Sequence, residues 1–173
     1  MSMLSVDNPP ESLFSFPDPV NEVSARLVAG GVVVLSVLTI TLNVPWLTVL
    51  IAYGFIARVA SGPTLSPLGQ LVTRVIVPRL PIAARPVPGP PKRFAQAIGA
   101  TLSVAAAVLA LALGLTTAAY VLLGLLIAAA TLESVFGLCL GCRMFALLMR
   151  AGVIPPEVCE RCADITRELP QQA

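Results

Sequence analysis

Four apolar runs, at residues 24–42, 44–60, 94–113 and 118–138, constrain this chain more than anything else in it. Each approaches the length of about 20 residues at which a helix crosses the hydrocarbon core of a bilayer. In lipid, every backbone N–H and C=O must find its partner within the segment, so such runs fold as helices and not as isolated strands. The first two runs are separated only by a break near Asn43 and Pro45, and the last two by a short turn at residues 114–117. The expected fold is therefore an all-α integral membrane protein with four transmembrane helices in two hairpins. Composition agrees: 57% of residues are hydrophobic and 12% charged, against about 45–50% and about 25% in soluble domains. A bilayer is the implied partner, and nothing in the charge pattern points to nucleic acid.

Between the hairpins, residues 61–93 form a long connection rich in proline, with Arg74, Arg79, Arg85, Lys92 and Arg93 and no acidic residue. Leu68, Leu71, Val72, Val75 and Ile76 recur at helical spacing, which suggests a short interfacial helix followed by a stiff Pro-rich strap, with an ordered loop against the bundle as the alternative. Lys92 and Arg93 at the end of that strap suit anionic headgroups. Residues 1–23 carry Asp7, Glu11, Asp18 and Glu22 with four prolines. That composition is the reverse of a secretory signal's basic start, and it reads as an extended tail outside the membrane. Arg26, Arg58, the five basic residues of the connection, and Arg143, Arg150, Arg161 and Arg167 account for all 11 cations, and the two hairpin turns have none. The positive-inside rule then puts both termini and the connection in the cytoplasm.

All four cysteines fall near the end of the chain as two CxxC pairs, Cys139–Cys142 and Cys159–Cys162, and there is no histidine. Cys139 is expected to continue the fourth span. Met144, Phe145, Leu147, Leu148 and Met149 extend a helical pattern to Arg150, Gly152 suits a helix stop, and Pro155-Pro156 suits the start of another. Residues 139–173 thus read as a cytoplasmic Cys-rich helical hairpin and tail, with Cys142 brought near Cys162. Three chemistries fit. The gap of 16 residues between the pairs lies within the spacing of a four-thiolate zinc site. A redox or sulfur-transfer pair also fits, and leads, because CxxC thiolates are activated by helix N-termini and nearby cations, and Arg143 and Arg161 adjoin the motif. Inert burial is the remaining alternative.

Glu133 is the one acidic residue inside the four runs, about two turns before Cys139. A carboxylate there costs on the order of 2.5–3.5 kcal/mol to insert, so it is expected to be paired or functional. Arg58, at the matching level of the second run, is the expected ion-pair partner. The alternative role for Glu133 is to exchange protons with the thiols beneath it. Small residues are frequent in the third and fourth runs and suit close helix contact. No repeat between the hairpins suggests a transporter.

Several strings taken together resemble an uncharacterised bacterial family, domain of unknown function family 4395. They are Arg58 at the end of the second run, Ser66-Pro67-Leu68-Gly69, the strap from Pro88 to Gln96, and Glu133 leading to Gly137-Leu138-Cys139-Leu140-Gly141-Cys142. The resemblance implies a small polytopic protein of the bacterial inner membrane, associated with thioredoxin-like and rhodanese-like sulfurtransferase partners. The leading functional expectation is a membrane-anchored, cytoplasm-facing thiol protein. Cys139, Cys142, Cys159, Cys162 and Glu133 would carry its redox or sulfur-transfer chemistry. The alternative is a non-enzymatic scaffold stapled by zinc on the same four cysteines.

Overall fold

A computed structural model of the chain, which describes residues 16–159, is mostly helical. Helix α1 (Glu22–Thr41) starts where Asn21 accepts a hydrogen bond from the Val23 amide at 3.0 Å, an N-cap that supplies one of the acceptors a helix start lacks. Leu42 caps its end, and Asn43, with a positive φ of 50°, turns the chain. Pro45 and Trp46 delay the next helix, so α2 runs Leu47–Ser61 and not from residue 44. At 15 residues, α2 is shorter than the other three long helices of the described chain. Three helical stretches are long and apolar enough to cross a membrane: Glu22–Thr41, Gly89–Ala112 and Thr116–Phe136.

A short helix follows α2 where one was expected, as α3 (Pro67–Gln70), continued by a π-helical turn over Leu71–Ile76 and a 3-10 turn over Val77–Arg79. Ser66 caps it, accepting from the Gly69 amide at 3.2 Å. The strap is shorter than expected. Its prolines at 90 and 91 fall in the first turn of α4 (Gly89–Ala107), where a missing N–H costs nothing. A π-helical turn over Val108–Ala112 completes that helix. The end of the N-terminal tail is also tied down. Strand β1 (Val20–Asn21) pairs antiparallel with β2 (Pro86–Val87), with Val20 opposite Val87. The tail before residue 16 lies outside the described residues.

Helix α5 (Thr116–Phe136) stops at Gly137, which adopts the left-handed conformation at φ 69°. The chain therefore turns before the cysteines, and Cys139 does not continue the fourth run as expected. It caps a separate helix, α6 (Leu140–Arg150). A 3-10 turn over Pro156–Cys159 follows. The rest of the expected second arm, with Cys162, lies outside the described residues.

The long helices pack as α2 on α4, α1 on α5 and α4 on α5, with α6 laid against α4. Ala29, Val32, Ile51, Phe55, Ala106, Ala119, Leu123 and Leu126 form the shared core. Large apolar residues such as Val34, Val49, Ile56, Val108 and Val121 face outward and are exposed, the distribution expected when hydrocarbon replaces water as solvent. Close approach depends on small residues. At Gly99 an added Cβ would stand 2.3 Å from the Phe55 ring. Gly99→Ala is therefore expected to lower stability by about 1–3 kcal/mol, read as thermal unfolding in detergent. Phe55→Leu should restore part of the loss. A neutral Gly99→Ala would contradict the α2–α4 contact.

Candidate functional site

The early start of α4 has a chemical consequence. It moves Lys92 out of the strap and into the first turn of a helix that faces α5. Its Nζ lies 2.6 Å from Oε1 of Glu133, and the two side chains are 9% and 21% exposed. Glu133 thus makes its direct bridge with Lys92, and Arg58, the expected partner, lies within reach of the Glu133 charge without a direct contact. Arg58 is itself buried, donates from Nη1 to Ser66 Oγ at 3.2 Å, and stacks 4.5 Å above the Phe55 ring. Arg93, which is exposed, donates from Nε to the Val59 carbonyl at 3.0 Å and closes the end of α2. Arg26 does the same for α5, donating to the carbonyls of Ser134 at 3.1 Å and Val135 at 2.8 Å. Cations at helix C-termini offset the macrodipole as well as the unpaired carbonyls.

The CxxC pair sits beside the Lys92–Glu133 bridge. Phe94 and Phe145 meet edge to face with centroids 5.7 Å apart, and Gly141 lies so close to Ala95 that a Cβ would stand 2.5 Å from its Cα. This glycine within the motif allows α6 to lie flat on α4. Cys139, at the N-cap, accepts a hydrogen bond through Sγ from the Cys142 amide at 3.3 Å. It is 8% exposed, whereas Cys142 is half-buried.

These contacts divide the two thiols. The Cys139 thiol is pulled below its ordinary value, first by the hydrogen bond it accepts from the Cys142 thiol. The Lys92 charge and the Cys142 amide add to that effect, while burial and the Glu133 charge work against it. The Cys142 thiol is pushed up, because it donates to Cys139, is buried, and lies beside the resulting negative charge. A stabilised thiolate at a helix N-terminus is the pattern of a reactive CxxC pair.

Of the residues expected to act together, Cys139, Cys142 and Glu133 are gathered at this end of the bundle. Cys159 closes the last described turn, and Cys162 lies outside the described residues. Among the described residues no three His, Cys, Asp or Glu side chains are grouped as a metal site, and the zinc reading needs all four thiols. Lys92 is the residue of this end that sequence reasoning placed elsewhere, in the strap. The signal for it was Pro90-Pro91, which suits the first turn of a helix as well as it suits a strap.

Cys139, Lys92, Glu133, Arg58 and Gln96 also border a cavity of about 930 Å³ between the helices. Fold and site together define a helical protein of long apolar segments carrying a dithiol at one end of its bundle. The chain belongs to the family described as Domain of unknown function (DUF4395), whose model matches residues 20–150. Comparison with curated proteins and with solved structures finds no match.

The charge arrangement has a testable sign. The pH midpoint for alkylation of Cys139 by iodoacetamide should lie below the usual thiol value of about 8.5. Cys142→Ala and Lys92→Met remove stabilising partners of the thiolate and should each move it up. Glu133→Gln removes an opposing charge and should move it down. A midpoint at or above the usual value in the unaltered protein would contradict this account.

Proposed function

We propose that this is a four-span protein of the bacterial inner membrane whose Cys139–Cys142 pair exchanges electrons with a soluble thiol partner on the cytoplasmic side. The observation that carries the reading is the Cys139 thiolate site, capping α6 beside Lys92. In the oxidised form the two sulfurs make a disulfide. An incoming thiolate attacks Sγ of Cys142, the less buried of the two residues, and the S–S bond breaks. Cys139 leaves as a thiolate, and a low-pKa leaving group departs faster. A second thiol of the partner then resolves the mixed disulfide, so two electrons and two protons pass from partner to pair. A partner carrying a persulfide would deliver its sulfur to the same nucleophile, Cys139. The structural-zinc scaffold is the competing reading and rests on the spacing of the two pairs alone.

The four-span topology follows from the charge bias, with α2 as the short span packed along α4. Glu133, in its bridge to Lys92, sets the local charge at the thiols. Cys159 and Cys162 would supply a second couple to the same exchange.

Two measurements test this. In Cys139→Ser, oxidised glutathione should form a mixed disulfide on Cys142, located by peptide mass. In Cys142→Ser, the corresponding adduct on the buried Cys139 should form at least tenfold more slowly. Equal rates would remove the assignment of Cys142 as the entry point. For topology, Thr117→Cys should react with a membrane-impermeant maleimide in intact cells, and Arg150→Cys only after permeabilisation. The opposite pattern would invert the protein.

A further inference from the structure

The two sulfurs of the pair face different surroundings. Cys139 borders the cavity of about 930 Å³, and Cys142 is not among its lining residues. The lining has a polar half at the thiols, with Lys92, Glu133 and Gln96, and an apolar wall of Val32, Phe55, Leu102, Leu126 and Ala129, while Asn21, Ser24, Arg58, Ser61, Thr64 and Thr73 border it elsewhere. Leu125 also lines it and is 57% exposed, so the cavity reaches the outer face of α5, among the side chains that meet lipid in the proposed topology. Its size is that of a small-molecule site, which typically spans about 300–1,000 Å³. It is too small for a folded protein, and a small molecule dissolved in the membrane fits its volume.

The polar half carries a second observation. The side-chain oxygen of Gln96 is buried with no hydrogen-bond partner among the described residues. Such an acceptor lacks the donor it needs, and it meets a molecule in the cavity when the Gln96 side chain turns toward it. Gln96 is one helical turn from Lys92, on the same face of α4. Its amide can donate to a carbonyl oxygen or accept from a hydroxyl, and Lys92 adds a second donor beside it.

We propose, building on the dithiol reading above, that this cavity binds a membrane quinone and that the Cys139–Cys142 dithiol reduces it. A quinone is a lipid-soluble two-electron carrier with carbonyl oxygens on its ring and, commonly, an apolar tail. The ring lies at the Lys92–Gln96 end next to Cys139, and the tail follows the apolar walls toward Leu125. In the reaction, Sγ of Cys139 and Sγ of Cys142 become joined in a disulfide. Their two electrons and two protons pass to the quinone, which leaves as the hydroquinone. Gln96 accepts from one of the new hydroxyls. The site thus takes electrons at Cys142 from the aqueous side and gives them up at Cys139 to the membrane.

The test uses the full chain, reduced, in lipid nanodiscs under anaerobic conditions. The probe is a decyl-tailed benzoquinone whose ring is fully substituted, so that thiols cannot add to it. Quinone absorbance and thiol state by peptide mass are followed together. The expected result is loss of quinone stoichiometric with a Cys139–Cys142 disulfide. Gln96→Leu and Ala129→Phe should each slow that reaction at least tenfold, with Ala129→Leu intermediate as a milder filling of the same space. Glutathione exchange at Cys142 is read in parallel. Glutathione exchange without quinone reduction overturns this inference and leaves the dithiol reading standing. Quinone reduction at an unchanged rate in the cavity variants overturns the assignment of the cavity. Loss of both reactions in the unaltered chain overturns the inference together with the reading it rests on.

Discussion

The Lys92–Glu133 bridge is the contact on which the thiol end of the molecule depends. A carboxylate and an ammonium within a helical bundle are costly to bury apart, and removing either partner would leave the other charge uncompensated. At 2.6 Å they satisfy each other, and in doing so they fix the start of α4 against the end of α5. The turn at Gly137 and the N-terminus of α6 then fall beside the bridge. The same two charges act on the sulfur of Cys139 in opposite directions. One interaction therefore joins the helices and sets the electrostatics of the nucleophile.

Around that bridge, the cations fill separate posts. Arg26 and Arg93 close the C-terminal carbonyls of α5 and α2. Arg58 is held by Ser66 and Phe55. These contacts explain how a chain with few charged residues keeps several of them at one end without exposing them all to solvent. They also tie α1 to α5, α4 to α2, and α2 to the cap of α3. The N-terminal segment adds a further tie, since Asp18 accepts from the Gly89 amide at 3.0 Å and β1 pairs with the strap. The dithiol is thereby mounted on a braced platform and not on a loose tail.

Much of this was legible in the residues. Apolar runs located the helices to within a few positions, because hydrogen-bond satisfaction in lipid leaves helix as the one economical choice for such a segment. The helical pattern at Leu68, Val72 and Val75 likewise located α3 and its continuation. What could not be read were the points where local geometry offers two solutions. Pro90-Pro91 can end a strap or begin a helix, and the choice decides whether Lys92 faces headgroups or Glu133. Gly137 sits inside an unbroken apolar pattern, and only its left-handed conformation converts Cys139 from a span residue into a cap. The cavity was invisible for a different reason. It is bordered by residues far apart in the chain, such as Val32, Gln96 and Ala129, and no spacing rule connects them.

The central claim is that Cys139 and Cys142 form one redox couple. Its most direct test is an equilibrium titration of the full chain in nanodiscs against defined ratios of reduced to oxidised dithiothreitol, with thiols trapped by acid and located by peptide mass. The account predicts a single two-electron transition in which both residues disappear together into one intramolecular disulfide. Thiols at 139 and 142 that stay reduced across the whole range, with zinc retained on the protein, would contradict it.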